Sequence, residues 1–177
     1  MTGPKRSIYQ CAGNWGIPFG LYLSCAALSS IFADWFAPLS LVFILLFLGT
    51  PVLTYAFQRR KFIEDDGFTE YAGLWMLGIM LYILGTIISS LVVYLVLKYV
   101  RPDFMVEQVQ HFIDIFGQRP EMRDSEIISN LQLMVNKGLT PTPIQMVFSA
   151  FWFITFGGSL VSALTALFAQ RPLHKRR

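Results

Sequence analysis

Two histidines, two cysteines and one run of adjacent acids are the residues of this chain that could hold a metal or move a proton. His111 stands alone beside Glu107, Gln110 and Asp114, and His174 sits in a basic tail, so no His pair is in prospect. Cys11 and Cys25 lack the spacing of a metal or redox motif and are expected neither to pair nor to bind metal. Glu64-Asp65-Asp66 could attract a hard cation, but such an ion takes about six oxygen ligands. No further ligands flank this run, so a solvated turn is expected. No nucleophile beside a base, no phosphate loop and no dinucleotide fingerprint occurs. The expectation is a protein that is not an enzyme, with no catalytic, cofactor-binding or metal site and no cofactor.

The elements that must carry these residues follow from where charge is missing. Of the 177 residues 54% are apolar and only 14% charged, against about 25% charged in a soluble domain. No Asp, Glu, Lys, Arg or His occurs from Ser7 to Ala33, Trp35 to Gln58, Tyr71 to Leu97 or Gly138 to Gln170. Crossing the hydrocarbon takes about 20 largely apolar residues, and a single chain segment does so only as a helix. The expectation is an all-α integral membrane four-helix bundle, a single domain over 1–177, with spans at about 15–33, 36–57, 71–98 and 143–169. The first span is expected to be retained rather than cleaved, because Gly16, Pro18 and Gly20 break it and no clean small-residue cleavage site follows.

With four spans, one side holds Lys5, Arg6, Arg59, Arg60, Lys61, Arg171, Lys175, Arg176 and Arg177. The other side has Lys98, Arg101, Arg119, Arg123 and Lys137, diluted by six acids. The positive-inside rule therefore places both termini in the cytoplasm. Arg59, Arg60, Lys61, Arg171, Lys175, Arg176 and Arg177 are expected on lipid headgroups. The basic balance then reports topology, and no nucleic-acid partner is expected.

Local punctuation marks the element ends. Trp15 and Trp35 bracket the first span at interfacial positions, and Pro38 fits the first turn of the second. Gly49-Thr50-Pro51 predicts a kink near residue 47. Thr69 is an N-cap candidate for the third helix, and Thr142-Pro143 opens the fourth. Between spans 3 and 4, residues 101–142 predict two amphipathic helices, separated near Gly117 and Pro120, with Asp124 capping the second. The first has the apolar face Met105, Val109, Phe112 and Phe116; the second has Ile127, Ile128, Leu131 and Met134. Too short and too charged to span, they are expected to lie on lipid or on their own bundle, with docking of a partner as the alternative.

Within the spans no ionisable residue occurs at depth, which argues against proton-coupled transport, charged pores and intramembrane metalloproteases. Hydroxyls such as Ser24, Thr50, Thr54, Thr86, Thr155 and Ser162 are expected to bond within or between helices. Small residues recur at close-packing spacing: Gly16, Gly20 and Ser24; Gly78, Gly85 and Ser89; Gly158 and Ser162. These faces serve helix packing or partner contact, packing within the bundle being the simpler reading.

Trp15-Gly16, Arg59-Arg60-Lys61, Gly67-Phe68-Thr69 before a glycine-bearing helix, and Arg101-Pro102-Asp103-Phe104 just beyond it form a recognisable set. With the amphipathic insert, the chain resembles the domain of unknown function 4199 family, small four-span inner-membrane proteins of Bacteroidetes. The resemblance covers nearly the whole chain and carries no catalytic residue with it. It implies an accessory subunit for a membrane glycosyltransferase that uses polyprenyl phosphate.

Two functions are therefore expected to compete. The first is a non-catalytic subunit of the bacterial inner membrane that binds or positions a membrane partner, with membrane lipids and a membrane protein or a second copy as partners. The alternative is a transporter or flippase for a lipid or small neutral solute. Its candidate feature is the Gly49-Thr50-Pro51 break facing hydroxyls of the other spans.

Overall fold

The computed structural model describes residues 7–117 and 126–171, with the side chains of residues 117, 126 and 127 left aside. The described residues are helical throughout, without strands: α1 (Ile8–Ile31), α2 (Pro38–Glu64), α3 (Tyr71–Tyr99), α4 (Phe104–Gly117), α5 (Glu126–Asn136) and α6 (Pro143–Ala169). The chain divides into two compact units, one of residues up to Val93 with those from Ser149 onward, the other Tyr94–Phe148.

The helix ends follow local hydrogen bonding. α1 begins at Ile8, well before the expected 15, because Ser7 and Gln10 form a capping box. The Ser7 hydroxyl accepts from the Gln10 amide (3.3 Å) and the Gln10 side chain accepts from the Ser7 amide (3.1 Å). α2 starts on Pro38 and runs through Pro51 to Glu64, beyond the expected 57, since nothing breaks it earlier. Asp66 (φ 55°) and Gly67 (φ 83°) then turn the chain in the left-handed region, and the Gly67 amide donates to the Phe62 carbonyl at 2.9 Å. The Thr69 hydroxyl, ahead of α3, donates to the Asp65 carboxylate. The first α3 turn closes on the Glu70 carbonyl. α6 begins at Pro143 as expected, with the Thr142 amide donating to Gln145 Oε1 at 2.9 Å.

In the first unit the helices pack with their neighbours largely antiparallel. Gln58 of α2 meets Leu74 of α3, and Trp75 and Tyr71 of α3 meet Ser159 and Ala163 of α6. α1 runs parallel to α3: Gly16 lies against Leu84 and Gly20 against Ile88. At the centre Trp15 stacks on Phe57 (5.4 Å between ring centres), and Phe19 meets Tyr82 edge-on (5.2 Å).

Among the described residues three helices, α2, α3 and α6, are long and apolar enough to cross a membrane. On α2 and α6 large side chains point outward: Leu41, Leu45, Phe47, Phe153, Phe156 and Leu160 are all more than half exposed. α3 exposes Ile87 and Leu91 and buries Leu74, Leu77 and Leu81. Small and polar groups such as Thr54, Thr86 and Ser162 are buried. Soluble proteins rarely expose apolar surface on this scale, whereas in lipid helices associate through small and hydrogen-bonding residues. α1 is the exception in composition, and its packing shows why. Ten of its 24 residues are buried, against four in each of α2 and α6. Gly16, Gly20, Ser24 and Ser29 are among the buried ten, whereas Gly13 is exposed.

In the second unit α4 and α5 pack against each other. The chain leaves α3 through Arg101, whose amide donates to the Val96 carbonyl at 3.0 Å. The Arg101 guanidinium is buried, pairs with Glu107 and lies 5.1 Å from the Phe104 ring centre.

Candidate functional site

Three buried polar side chains of the first unit, Thr54, Gln58 and Ser162, lie on one seam where α2, α3 and α6 meet. α2 supplies Thr50, Thr54 and Gln58, one turn apart and therefore on one stripe of the helix. Gly78 of α3 clears the space opposite: a Cβ there would strike Ser162 Oγ and come within 2.8 Å of Gln58 Nε2. Into that gap the Gln58 amide reaches three acceptors, the Leu74 carbonyl (3.1 Å), the Ser162 carbonyl (3.1 Å) and Ser162 Oγ (3.0 Å). Ser162 Oγ in turn donates to the Trp75 carbonyl at 3.0 Å. Gln58 and Ser162 are both fully buried, so these bonds form without competing water.

One turn further along, the Thr54 hydroxyl donates to the Thr50 carbonyl (2.9 Å) and lies 3.2 Å from the Tyr82 hydroxyl. Gly158 of α6 makes room for the Tyr82 ring, which any Cβ there would strike. Trp75 Nε1 and the Tyr71 hydroxyl donate to the Ser159 and Ala163 carbonyls at 3.1 and 3.3 Å, fastening the flank of α3 to α6. Among the described residues, the buried atoms Gln58 Oε1, Thr86 Oγ1 and Thr155 Oγ1 have no hydrogen-bond partner.

The small residues expected to pack helices are used inside the first unit. A Cβ on Gly20 would lie 2.8 Å from Ile88 Cβ, and one on Gly85 2.7 Å from a Phe19 ring carbon. Ser24 donates to the Gly20 carbonyl at 2.8 Å, and Ser89 is buried. Gly16 lies on Leu84, while Gly78 and Ser162 meet face to face.

Two of the three basic residues at the end of α2, Arg59 and Lys61, are engaged by the protein itself. Lys61 is 2% exposed, with its ammonium 3.0 Å from Asp65 Oδ1, because the α2–α3 turn folds that carboxylate back over it. Arg59 donates to the Ala169 (2.8 Å) and Arg171 (2.6 Å) carbonyls, closing the C-terminus of α6, where unpaired carbonyls and the helix dipole favour a cation. Arg60 is exposed, pairs with Glu64 at 3.1 Å and sits 5.5 Å from the Trp15 ring centre. Arg171 is exposed over Phe168. Lys175, Arg176 and Arg177 lie outside the described residues. Ser7, Lys61, Asp65 and Thr69 line one open cleft at this end.

On the surface helices Met105, Val109, Phe116 and Leu131 are half-buried, Ile128 is buried, and Phe112 and Met134 are exposed. Val109, Phe112 and Leu131 line an apolar cleft with Gln108. The side chain of Ile127 and the cap position Asp124 lie outside the described residues.

Sequence reasoning missed Gln58, Trp75 and Tyr82 as members of the seam. The available signal was the i, i+4, i+8 series Thr50, Thr54, Gln58 on an otherwise apolar helix. Read as the border of a charge-free window, Gln58 looked peripheral.

A helical fold with three span-length helices that expose large apolar side chains, and with Thr54, Gln58 and Ser162 hydrogen-bonded inside, is that of an integral membrane protein. Within that class the chain belongs to the DUF4199 family, described as proteins of unknown function, whose family profile matches residues 14–171. No curated protein and no solved structure matches it.

Proposed function

We propose that this chain is a non-catalytic integral membrane subunit that binds and positions a membrane partner, the partner class being a polyprenyl-phosphate glycosyltransferase. In this reading α1 joins α2, α3 and α6 as a fourth span of the bacterial inner membrane, both termini are cytoplasmic, and residues 101–142 lie on the opposite side. The observation that carries it is how the polar seam is used. Gln58, Ser162, Thr54 and Tyr82 bond helix to helix around a centre filled by Phe19, Leu77 and Leu81, as in a scaffold held rigid rather than a site held ready. The partner class rests on the family resemblance alone.

The test is purification of the tagged full chain from native membranes in mild detergent, with mass spectrometry of whatever remains in stoichiometric amount. A glycosyltransferase of this class is the expected companion, and reproducible elution alone would overturn the proposal.

The transporter or flippase reading is kept for one observation: Gln58 Oε1, Thr86 Oγ1 and Thr155 Oγ1 are buried without partners. Unpaired polar atoms cost about 1–3 kcal/mol each, and a passing polar solute or headgroup could satisfy them. Reconstituted vesicles would show translocation of a fluorescent lipid or neutral solute that Gln58→Leu abolishes.

A further inference from the structure

In the second unit, exposed apolar residues run from the end of α3 (Leu95, Tyr99) into the segment beyond it. Val100, Phe112 and Ile115 are exposed (53, 42 and 46%), as are Met134, Leu139 and Ile144 on the way back to α6. Phe112 and Ile115 stand three apart, on neighbouring positions of α4, and Phe112 opens onto the apolar cleft shared with Leu131 of α5. Glu107 and Asp114 are exposed on another side of the same helix, and the exposed His111, four residues before Ile115, lies at the border. Each short helix is therefore two-sided, and packing α4 on α5 leaves part of the apolar side uncovered.

Short connections limit how far this pair can move from the ends of the long helices. Four residues separate Tyr99 from Phe104, and six separate Asn136 from Pro143. At no more than ~3.5 Å per residue, the start of α4 stays within about 18 Å of the end of α3, and the end of α5 within about 25 Å of the start of α6. The first connection is drawn in tighter still, because Arg101 bonds back to Val96 while its buried guanidinium holds Glu107 of α4. Just before it, Lys98 Nζ lies 5.6 and 5.3 Å from the ring centres of Tyr94 and Tyr99. Aromatic rings beside a lysine with a long apolar stem are the residues that collect at a bilayer boundary. α4 thus begins at the level where the hydrocarbon ends.

We infer that α4 and α5 form an interfacial pair whose uncovered apolar side is seated in the headgroup–acyl boundary of the leaflet at the C-terminal end of α3. The occupant of that surface is lipid, reached by continuity with the exposed end of α3 (Leu95, Tyr99) in the same unit. This holds whichever partner the spans bind, and it does not rest on the subunit reading.

The experiment uses the full chain with Cys11→Ala and Cys25→Ser, reconstituted in vesicles of phosphatidylethanolamine and phosphatidylglycerol. Nitroxide labels are placed singly at Ile115→Cys and Met134→Cys, with Asp114→Cys as the aqueous reference and Leu160→Cys as the lipid reference. The labels at 115 and 134 should show an oxygen-to-nickel-chelate collision ratio at least about threefold above that at 114, since interfacial helices bury their apolar side about 5–10 Å deep. Ratios equal to that at 114 would place the pair in water and overturn the inference. Low collision with both reagents would mean a protein cover, and dipolar broadening between labels would identify it as a second copy; either result also overturns it. Should a label at 115 or 134 disturb the helices, judged by circular dichroism, Phe112→Cys and Leu139→Cys repeat the reading.

Discussion

Gln58 and Ser162, 104 positions apart in the chain, meet at 3.0 Å in the buried interior, and the same amide also reaches the Leu74 carbonyl. One side chain thus joins three helices. Its geometry depends on a fourth residue, Gly78, whose missing Cβ lets both partners in.

A double-mutant cycle measures this junction. Gln58→Ala and Ser162→Ala should each lower unfolding stability in detergent, and their coupling should be about 0.6–1.7 kcal/mol, the range of hydrogen bonds between membrane helices. A coupling near zero would mean that the bond contributes nothing to holding α2 on α6.

Adjacent glycines of α6 should respond differently. Gly158→Ala drives a Cβ into the Tyr82 ring, whereas nothing lies within 4 Å of a Cβ on Gly157. Thermal unfolding should show Gly158→Ala destabilised by about 1–3 kcal/mol through overpacking. Gly157→Ala should be neutral or slightly stabilising, because alanine restricts the unfolded chain. Equal shifts at both positions would contradict the packing described.

The two ion pairs near the end of α2 should differ sharply. Asp65→Ala removes a carboxylate that pairs with the buried Lys61 ammonium, and breaking a buried pair costs about 3–5 kcal/mol. Glu64→Ala removes the partner of the exposed Arg60, a pair worth about 0–1 kcal/mol. Chemical denaturation of the two variants side by side checks the ranking, and Lys61→Met with Asp65→Ala should recover much of the loss.

Topology is checked in the same background without cysteines. Asp66→Cys should resist an impermeant maleimide added to intact cells and react after lysis, while Lys137→Cys should react from outside. The reverse pattern would invert the proposed orientation.

Much of the fold was legible before any coordinates. Charge-free stretches of span length set the long helices, because hydrocarbon tolerates few charges and demands internally bonded backbone. Pro38 and Pro143 marked helix starts through a purely local effect. Periodicity placed α4 and α5. Small residues at four-residue spacing foretold where helices approach, though not which neighbour each would meet.

The seam was not legible in the same way, since its members come from α2, α3 and α6 and acquire meaning only in each other's presence. Gln58 by itself is a polar residue at the border of an apolar window; the Gly78 gap and the Ser162 hydroxyl make it a junction. Lys61 shows the same limit, because a lysine after a span ordinarily reaches for headgroups, and here Asp65 on the following turn captures it. Composition and local pattern therefore determined which segments are helical and which are apolar enough to cross lipid, as those depend on solvent and on neighbours in the chain. The tertiary structure alone decided which polar groups face one another, because pairing depends on register between helices far apart in sequence.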